Sequence, residues 1–150
     1  MSVEAFKRTV THCEAAHLLP RINGCVVVPL KPAVHLTVGY GKNIWVPGHE
    51  WHHAIGGTKT GRTNDKRNIL HVNHYIHEWI TDNSNAGRVL TCMAIRDAGR
   101  LDFAYLSKLS MRNYPWLFDC DSYITACSEW PWLEDMRREL LKPATRRDSA

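Results

Sequence analysis

The order of apolar and polar positions predicts a helix and several short strands in the first third of the chain. Apolar residues recur at helical spacing over residues 3–19, which predicts an N-terminal helix. The β-branched run at residues 24–30 and the alternating run at residues 34–40 are each typical of a strand, and residues 44–46 predict a further short one.

From residue 65 onward the apolar positions follow the helical period. Asp102 is placed to cap one of these helices, and Pro131 is suited to the first turn of another. The predicted helical segments are 65–82, 86–98, 102–109 and 131–141, followed by a basic polar tail at 143–150. Strands followed by a run of helices indicate an α+β fold.

Composition is that of an ordinary globular protein. The chain has 150 residues, of which 44% are hydrophobic and 23% are charged, which is typical of one domain with a core of its own. The apolar runs are too short to span a bilayer, and the N-terminus lacks the features of a signal peptide. We therefore expect a cytoplasmic protein that has no membrane partner.

Cysteine content and net charge narrow the function classes. Five cysteines at wide, irregular spacing do not form a disulfide framework, and without a CxxC pair a standard cysteine-based zinc knuckle is excluded. The net charge of +4 is compatible with a nucleic-acid partner but does not require one. Part of the basic excess lies in one short segment that contains Lys59, Arg62, Lys66 and Arg67.

The nine histidines are unevenly distributed along the chain. Six of the nine histidines fall in one segment: His49, His52, His53, His71, His74 and His77. Imidazole is a common ligand for divalent metals and is suited to acid–base catalysis near neutral pH. The cluster therefore predicts a metal or catalytic centre.

This segment resembles the HNH endonucleases, most of all the small enzymes of bacteriophages. The matching features are a His-His pair, a Gly-Gly turn, an Asp-x-x-Asn step and a final histidine that opens a helix: His52-His53, Gly56-Gly57, Asp65 to Asn68, and His77. The resemblance covers about 30 residues and implies a ββα-metal core at about residues 44–82 and hydrolysis of DNA phosphodiester bonds. The apolar pattern beyond that core predicts the helical C-terminal region at about 84–142.

The resemblance also implies a role for each matching residue. His52 corresponds to a metal ligand, His53 to the general base that takes a proton from the attacking water, and His77 to the final ligand. Asn68 corresponds to the residue that braces the loop carrying the base. The implied cofactor is one divalent ion, Mg²⁺ or Mn²⁺, although Zn²⁺ and Ni²⁺ also suit histidine ligands.

The chain departs from the family pattern between Asn68 and His77. Many relatives carry cysteines there that hold a structural zinc, whereas this chain has His71, Asn73 and His74. Asn73 and His74 precede His77 by four and three residues, so each shares a helix face with it, and His74 is preferred as the third ligand. The candidate DNA contacts are the basic residues Lys59, Arg62, Lys66 and Arg67.

Two other functions fit parts of the same segment. Residues 49–53 satisfy the HExxH pattern of zinc metalloproteases, with His49 and His53 as zinc ligands and Glu50 as base. That pattern needs a sustained helix, and the flanking Pro47-Gly48 and Gly56-Gly57 leave room for only about two turns. A non-catalytic, zinc-binding interaction module is the second alternative.

The resemblance does not determine the oligomeric state. A single HNH centre cuts one DNA strand, so double-strand cutting would require a homodimer or a second binding event. A phage-encoded protein of this kind would act in the cytoplasm of the host cell.

Overall fold

A computed structural model describes residues 2–31, 34–40, 45–56, 65–113 and 116–149, with side chains up to residue 142. These residues form an α+β structure, as predicted, with two small antiparallel sheets and a helical C-terminal half. One sheet has the order β1-β2-β3, from Arg21–Ile22, Cys25–Lys31 and Val34–Gly39. The other pairs β4 with β5, from Glu50–His53 and Ile69–Val72.

The helices supply most of the hydrophobic core. Their bounds are α1 Val3–Lys7, α2 His74–Asp82, α3 Ser84–Asp97, α4 Phe103–Ser110, α5 Asp121–Ser128 and α6 Pro131–Ser149, with 3₁₀ turns at Ala16–Leu18 and Trp116–Phe118. The largest completely buried side chains include Leu70, Ile76, Ile80, Leu90, Phe118 and Leu133. None of the helices in the described part of the chain has both the length and the apolarity that crossing a membrane requires.

The N-terminal helix is much shorter than predicted. It ends at Lys7, so the prediction of one helix over residues 3–19 is wrong. At Cys13 and Glu14 the backbone bonds to distant segments instead of forming helical turns. Cys13 N donates to Val46 O at 2.7 Å, and Glu14 N donates to the carbonyl of His71 at 2.8 Å.

The buried ion pair of Glu14 and Arg100 reinforces this docking. Arg100 binds the Glu14 carboxylate at 2.6 Å, and both side chains are about nine-tenths buried. The same carboxylate accepts from the backbone N–H of His71, and Arg100 donates to the carbonyl of Ile69. The N-terminal segment is thus fixed against β5, the second strand of the two-stranded sheet.

The predicted helix over residues 65–82 is wrong in its first half, where β5 forms instead. All four residues of β5 are buried, so the strand lacks the alternation of apolar and polar positions that identifies a half-exposed strand. The helix itself begins at His74, after Asn73, whose side-chain oxygen accepts from Tyr75 N and caps it.

The remaining predictions differ from the structure mainly in their bounds. β2, β3, α3 and α4 lie within a few residues of the expected segments, and Asp102 caps α4 as predicted. Trp45 and Val46 lie outside any strand, and residue 44 falls outside the described residues. α6 begins at Pro131 as expected but continues to Ser149, through the segment predicted as a polar tail.

Candidate active site

The two-stranded sheet presents the His-His pair at the end of its first strand. β4 pairs with β5 in an antiparallel register that sets His52 opposite Leu70 and His53 opposite Ile69. α2 follows β5 after a single residue, Asn73, so strand, strand and helix are consecutive packed elements. This local β-β-α arrangement brings a strand end and a helix face together around one cleft.

His52 of β4 and His77 of α2 face each other in this cleft. Their ring centroids are 5.0 Å apart, and the ring planes meet at 67°. The cleft has a volume of about 560 Å³, and its lining includes His52, His53, His77, Thr81, Ser84 and Arg88. The structure therefore brings together the three histidines to which the sequence pattern assigned catalytic and ligand roles.

The surroundings of His52 favour its neutral form. Burial lowers the pKa of His52 from 6.5 to about 4, and the nearby positive charges of His77, His53 and Arg88 act in the same direction. A neutral imidazole keeps a lone pair, which a metal ligand needs. At neutral pH His52 is thus in the form that can bind a divalent ion.

Glu50 links the two histidines of α2. One carboxylate oxygen contacts His74 Nδ1 at 2.6 Å and the other contacts His77 Nδ1 at 3.1 Å. These hydrogen bonds, first from His74 and then from His77, hold the pKa of Glu50 below its usual 4.5. A carboxylate on Nδ1 favours the proton on that nitrogen and leaves Nε2 of His77 as the nitrogen that can bind a metal.

The two candidates for a third metal ligand, His74 and Asn73, already form hydrogen bonds with other groups of the protein. His74 contacts Glu50 through Nδ1 and Glu78 through Nε2, the latter at 3.0 Å. The buried Asn73 side chain accepts from Tyr75 N and donates to Pro47 O. Both ring nitrogens of His74 are therefore already bound by carboxylates, which does not favour its predicted role as a ligand.

We asked whether these donors fit a divalent ion. Within the described residues no three His, Cys, Asp or Glu side chains are arranged to coordinate one ion. His52 and His77 alone suit an ion such as Mg²⁺, which usually keeps several waters and takes only one or two protein ligands together with substrate phosphates. The donor set thus fits a weakly held catalytic ion better than a structural zinc, which needs four ligands.

Asn68 braces the backbone directly after the His-His pair. The residue is completely buried, and its side-chain oxygen accepts from Ile55 N at 2.9 Å. Its side-chain nitrogen donates to Ile55 O at 3.1 Å, while its own carbonyl accepts from Ala54 N. Asn68 therefore fixes the turn that leaves His53.

Only two of the four predicted DNA-contacting residues lie in the described part of the chain. Lys59 and Arg62 lie outside the described residues, and Lys66 is exposed. The Arg67 guanidinium binds the carboxylates of its neighbours Asp65 and Asp102 and lies 3.7 Å from the ring centre of Tyr105. Because two carboxylates already compensate its charge, Arg67 is poorly suited to bind phosphate.

Sequence reasoning did not identify Arg88, a cation inside the cleft. Arg88 comes from α3, beyond the segment that carries the motif, and no local pattern marks it. It donates to Ala54 O at 3.1 Å and to the hydroxyl of Tyr123 at 2.6 Å. Arg88 can be identified only from the three-dimensional structure, because it reaches the cleft through the packing of α3 against α2 and β5.

The metalloprotease pattern lies on extended backbone. HExxH places both histidines on one face of a helix, but Glu50–His53 is a strand. Along extended chain, His49 and His53 are separated by about 13 Å, too far to share one zinc ion. The geometry gives the metalloprotease alternative no support.

Comparison with known proteins adds no independent assignment. No family model, no curated protein and no solved structure matches the chain. The functional argument therefore depends on the residues of the cleft themselves.

Proposed function

We propose that this protein is a metal-dependent endonuclease that hydrolyses DNA phosphodiester bonds at an HNH-type, ββα-metal centre. One observation carries the proposal: the cleft combines His52 and His53 on one strand with His77 on the following helix, and Asn68 bonds the turn after the pair. The order and the placement of these four residues match the requirements of that chemistry.

His53 is the proposed general base. Its neutral imidazole takes a proton from a water molecule, and the resulting oxygen nucleophile forms a bond to phosphorus while the bond to the leaving sugar oxygen breaks. Asn68 holds the turn after His53, so the imidazole keeps its position relative to the phosphate. Arg88 is placed to bind a phosphate oxygen through charge-assisted hydrogen bonds.

His52 and His77 are the proposed ligands of one divalent ion. Mg²⁺ or Mn²⁺ is expected, and Zn²⁺ or Ni²⁺ also suits imidazole. When bound, the ion supplies positive charge at the scissile phosphate. Glu50 orients His77 from behind through Nδ1.

The experiment is cleavage of a supercoiled plasmid by purified protein with Mg²⁺, Mn²⁺ or Ni²⁺. Wild type is expected to cut, and His53→Ala is expected to lose about 10²–10⁴-fold in rate, the usual contribution of general base catalysis. His35→Ala is the matched control, because His35 is exposed on β3, away from the cleft lining. No cutting by wild type with any of the metals, or equal cutting by wild type and His53→Ala, rejects the nuclease proposal.

The same preparation tests the non-catalytic alternative. A structural zinc site would hold its metal through purification, whereas the proposed two-histidine site would release it on dialysis against EDTA. Protein that retains one equivalent of zinc and cuts no DNA would favour the interaction module.

The plasmid assay also reports whether one DNA strand or both are cut, because a single-strand cut converts supercoiled plasmid to the nicked form and a double-strand cut converts it to the linear form.

A further inference from the structure

A second cavity adjoins the active-site cleft. It has a volume of about 350 Å³ and shares Gly56 and Arg88 with the cleft. We call it the Arg112 groove; its lining includes Asn85, Arg88, Ser110, Arg112, Ser122 and Tyr123. Most of the groove is built from α3, the C-terminal end of α4 and the start of α5, outside the β-β-α unit, and Ile55 and Gly56 from the turn after β4 complete it.

The charges around the cleft are separated by sign. Among the described residues, Arg88 and Arg112 are the charged side chains of the groove lining, and no Asp or Glu lines either the groove or the cleft. A third cavity shares His77 and Thr81 with the cleft and is lined by Glu50, Glu78 and Asp82. The linings therefore favour an anionic polymer on the Arg88 side of His77 over the side of Glu50, Glu78 and Asp82, while Asp119 and Asp121 border the far end of the groove beside Cys120 and Ser122.

Both arginines lack a carboxylate partner among the described residues. None of the ion pairs there includes Arg88 or Arg112, whereas Arg67, Arg96, Arg100, Arg137 and Arg138 are all paired. Arg8 and Arg21 are also outside these pairs, but both are exposed and line neither the cleft nor the groove. Arg88 is half-buried, and the acceptors that hold it are neutral, Ala54 O and the Tyr123 hydroxyl. A partly desolvated guanidinium without a counter-charge gains most from an anionic ligand that binds it in a bidentate manner.

We propose that the Arg112 groove binds the sugar–phosphate backbone of the DNA strand next to the scissile phosphate. The strand leaves the cleft past Arg88, and a following phosphate binds Arg112, with Asn85, Ser110 and Ser122 as neutral hydrogen-bonding groups along the groove. The inference rests on the proposed nuclease function for its choice of ligand. Such contacts bind DNA of any sequence.

The test is binding of a short fluorescein-labelled DNA duplex and of its single strand, measured by anisotropy in EDTA so that no cutting occurs. Arg112→Ala is expected to weaken binding roughly tenfold and to lower the slope of log K against log salt by about one. Arg112→Lys should restore the slope, because the charge remains. Lys108→Ala is the matched control: it removes one exposed positive charge from α4, the helix that precedes Arg112, but lies outside the groove lining, and it should change binding less than about twofold.

The results of this binding experiment test the groove proposal separately from the nuclease proposal. Equal binding by Arg112→Ala and Lys108→Ala, or no binding by wild type, overturns the groove, even if wild type cuts DNA when metal is added. Weakened binding by Arg112→Ala alone supports the groove, even if no metal yields cleavage. Because Arg112 is exposed, its replacement should leave the melting temperature unchanged, which circular dichroism verifies.

Discussion

The side chain of Asn68 and the backbone of Ile55 are joined by two hydrogen bonds, one in each direction. The amide oxygen accepts from Ile55 N at 2.9 Å and the amide nitrogen donates to Ile55 O at 3.1 Å, both in the buried interior. An asparagine side chain is the right length and has the right polarity to replace a backbone partner at this turn. This contact fixes the chain two residues after His53.

We predict that Asn68→Ala destabilises the protein and disables the cleft. The change leaves two buried backbone groups of Ile55 without partners, which should lower the free energy of unfolding by about 2–4 kcal/mol. Urea unfolding measures the loss. Asn113→Ala, at an exposed position, is the control and should stay within about 0.5 kcal/mol of wild type. Similar values for the two variants would contradict the bracing role.

Glu50 should determine metal affinity through His77. Because the Glu50 carboxylate contacts His77 Nδ1, we predict that Glu50→Ala weakens Mn²⁺ binding by about 10–100-fold in calorimetry. Glu78→Ala is the matched change, since Glu78 contacts His74 but is not among the partners of His77. Nitrogen-15 NMR of the metal-free protein should also show His77 losing its Nδ1–H form in Glu50→Ala only. Equal effects of both variants on affinity would refute this role of Glu50.

The contributions of His52 and His71 to stability in the metal-free state should fall as the pH is lowered from 7, opposite to that of His74, whose pKa the carboxylates of Glu50 and Glu78 raise. Burial lowers the pKa of His71 below its usual 6.5, and burial also brings the pKa of His52 to about 4. Below 6.5 the unfolded chain takes up protons at these positions that the folded chain does not, so the free energy of unfolding decreases until the folded pKa is reached. Urea titrations in EDTA from pH 7 to about pH 4 measure this decrease.

His71→Gln isolates one of these contributions. His71 is buried and stacks on Trp51 with ring centroids 4.6 Å apart, so a neutral replacement should make the pH dependence shallower whatever its effect on stability at pH 7. His35→Gln, at an exposed position, should leave the slope of wild type unchanged. A His71→Gln slope as steep as that of wild type would show that His71 titrates normally in the folded protein.

The sequence predicted which histidines meet in the cleft better than it predicted the elements around them. His52, His53 and His77 lie within a short stretch of the chain. They meet in the cleft because the two strands and the helix that carry or connect them are consecutive elements that pack together. The same segment misled the helix prediction, because a completely buried strand such as Ile69–Val72 has no alternation to distinguish it from a helix.

Long-range contacts were beyond sequence reasoning for a different reason. Arg88 enters the cleft only through the packing of α3, and Glu14 meets Arg100 across most of the chain. Neither contact leaves a periodic or motif signal, since each depends on how whole elements pack. The engagement of His74 by Glu50 and Glu78 is likewise visible only once the strand and the helix are set side by side.

The close approach of α2 and α3 supplies the last prediction. A Cβ atom at Gly87 would lie 2.6 Å from Ile80 O and 2.8 Å from Ile80 Cα, so the two helices meet there backbone to backbone. Alanine has a helix propensity about 1 kcal/mol better than glycine, but overpacking against a rigid backbone costs about 1–3 kcal/mol and should prevail. We therefore predict that Gly87→Ala lowers the free energy of unfolding by about 1–2 kcal/mol in urea titration.

Gly87→Ala should also impair DNA binding, since forcing α3 away from α2 displaces the next residue, Arg88, from the cleft. Gly56→Ala is the stability control, because a Cβ there meets no atom of the described residues within 4 Å. Arg88→Ala separates the two effects, because it removes the cation without adding a clash between α2 and α3. Weaker DNA binding in both Gly87→Ala and Arg88→Ala would tie the helix contact to the cleft. A Gly87→Ala protein that matches wild type in stability and binding would show that α2 and α3 adjust freely, so that Arg88 does not depend on this contact for its position.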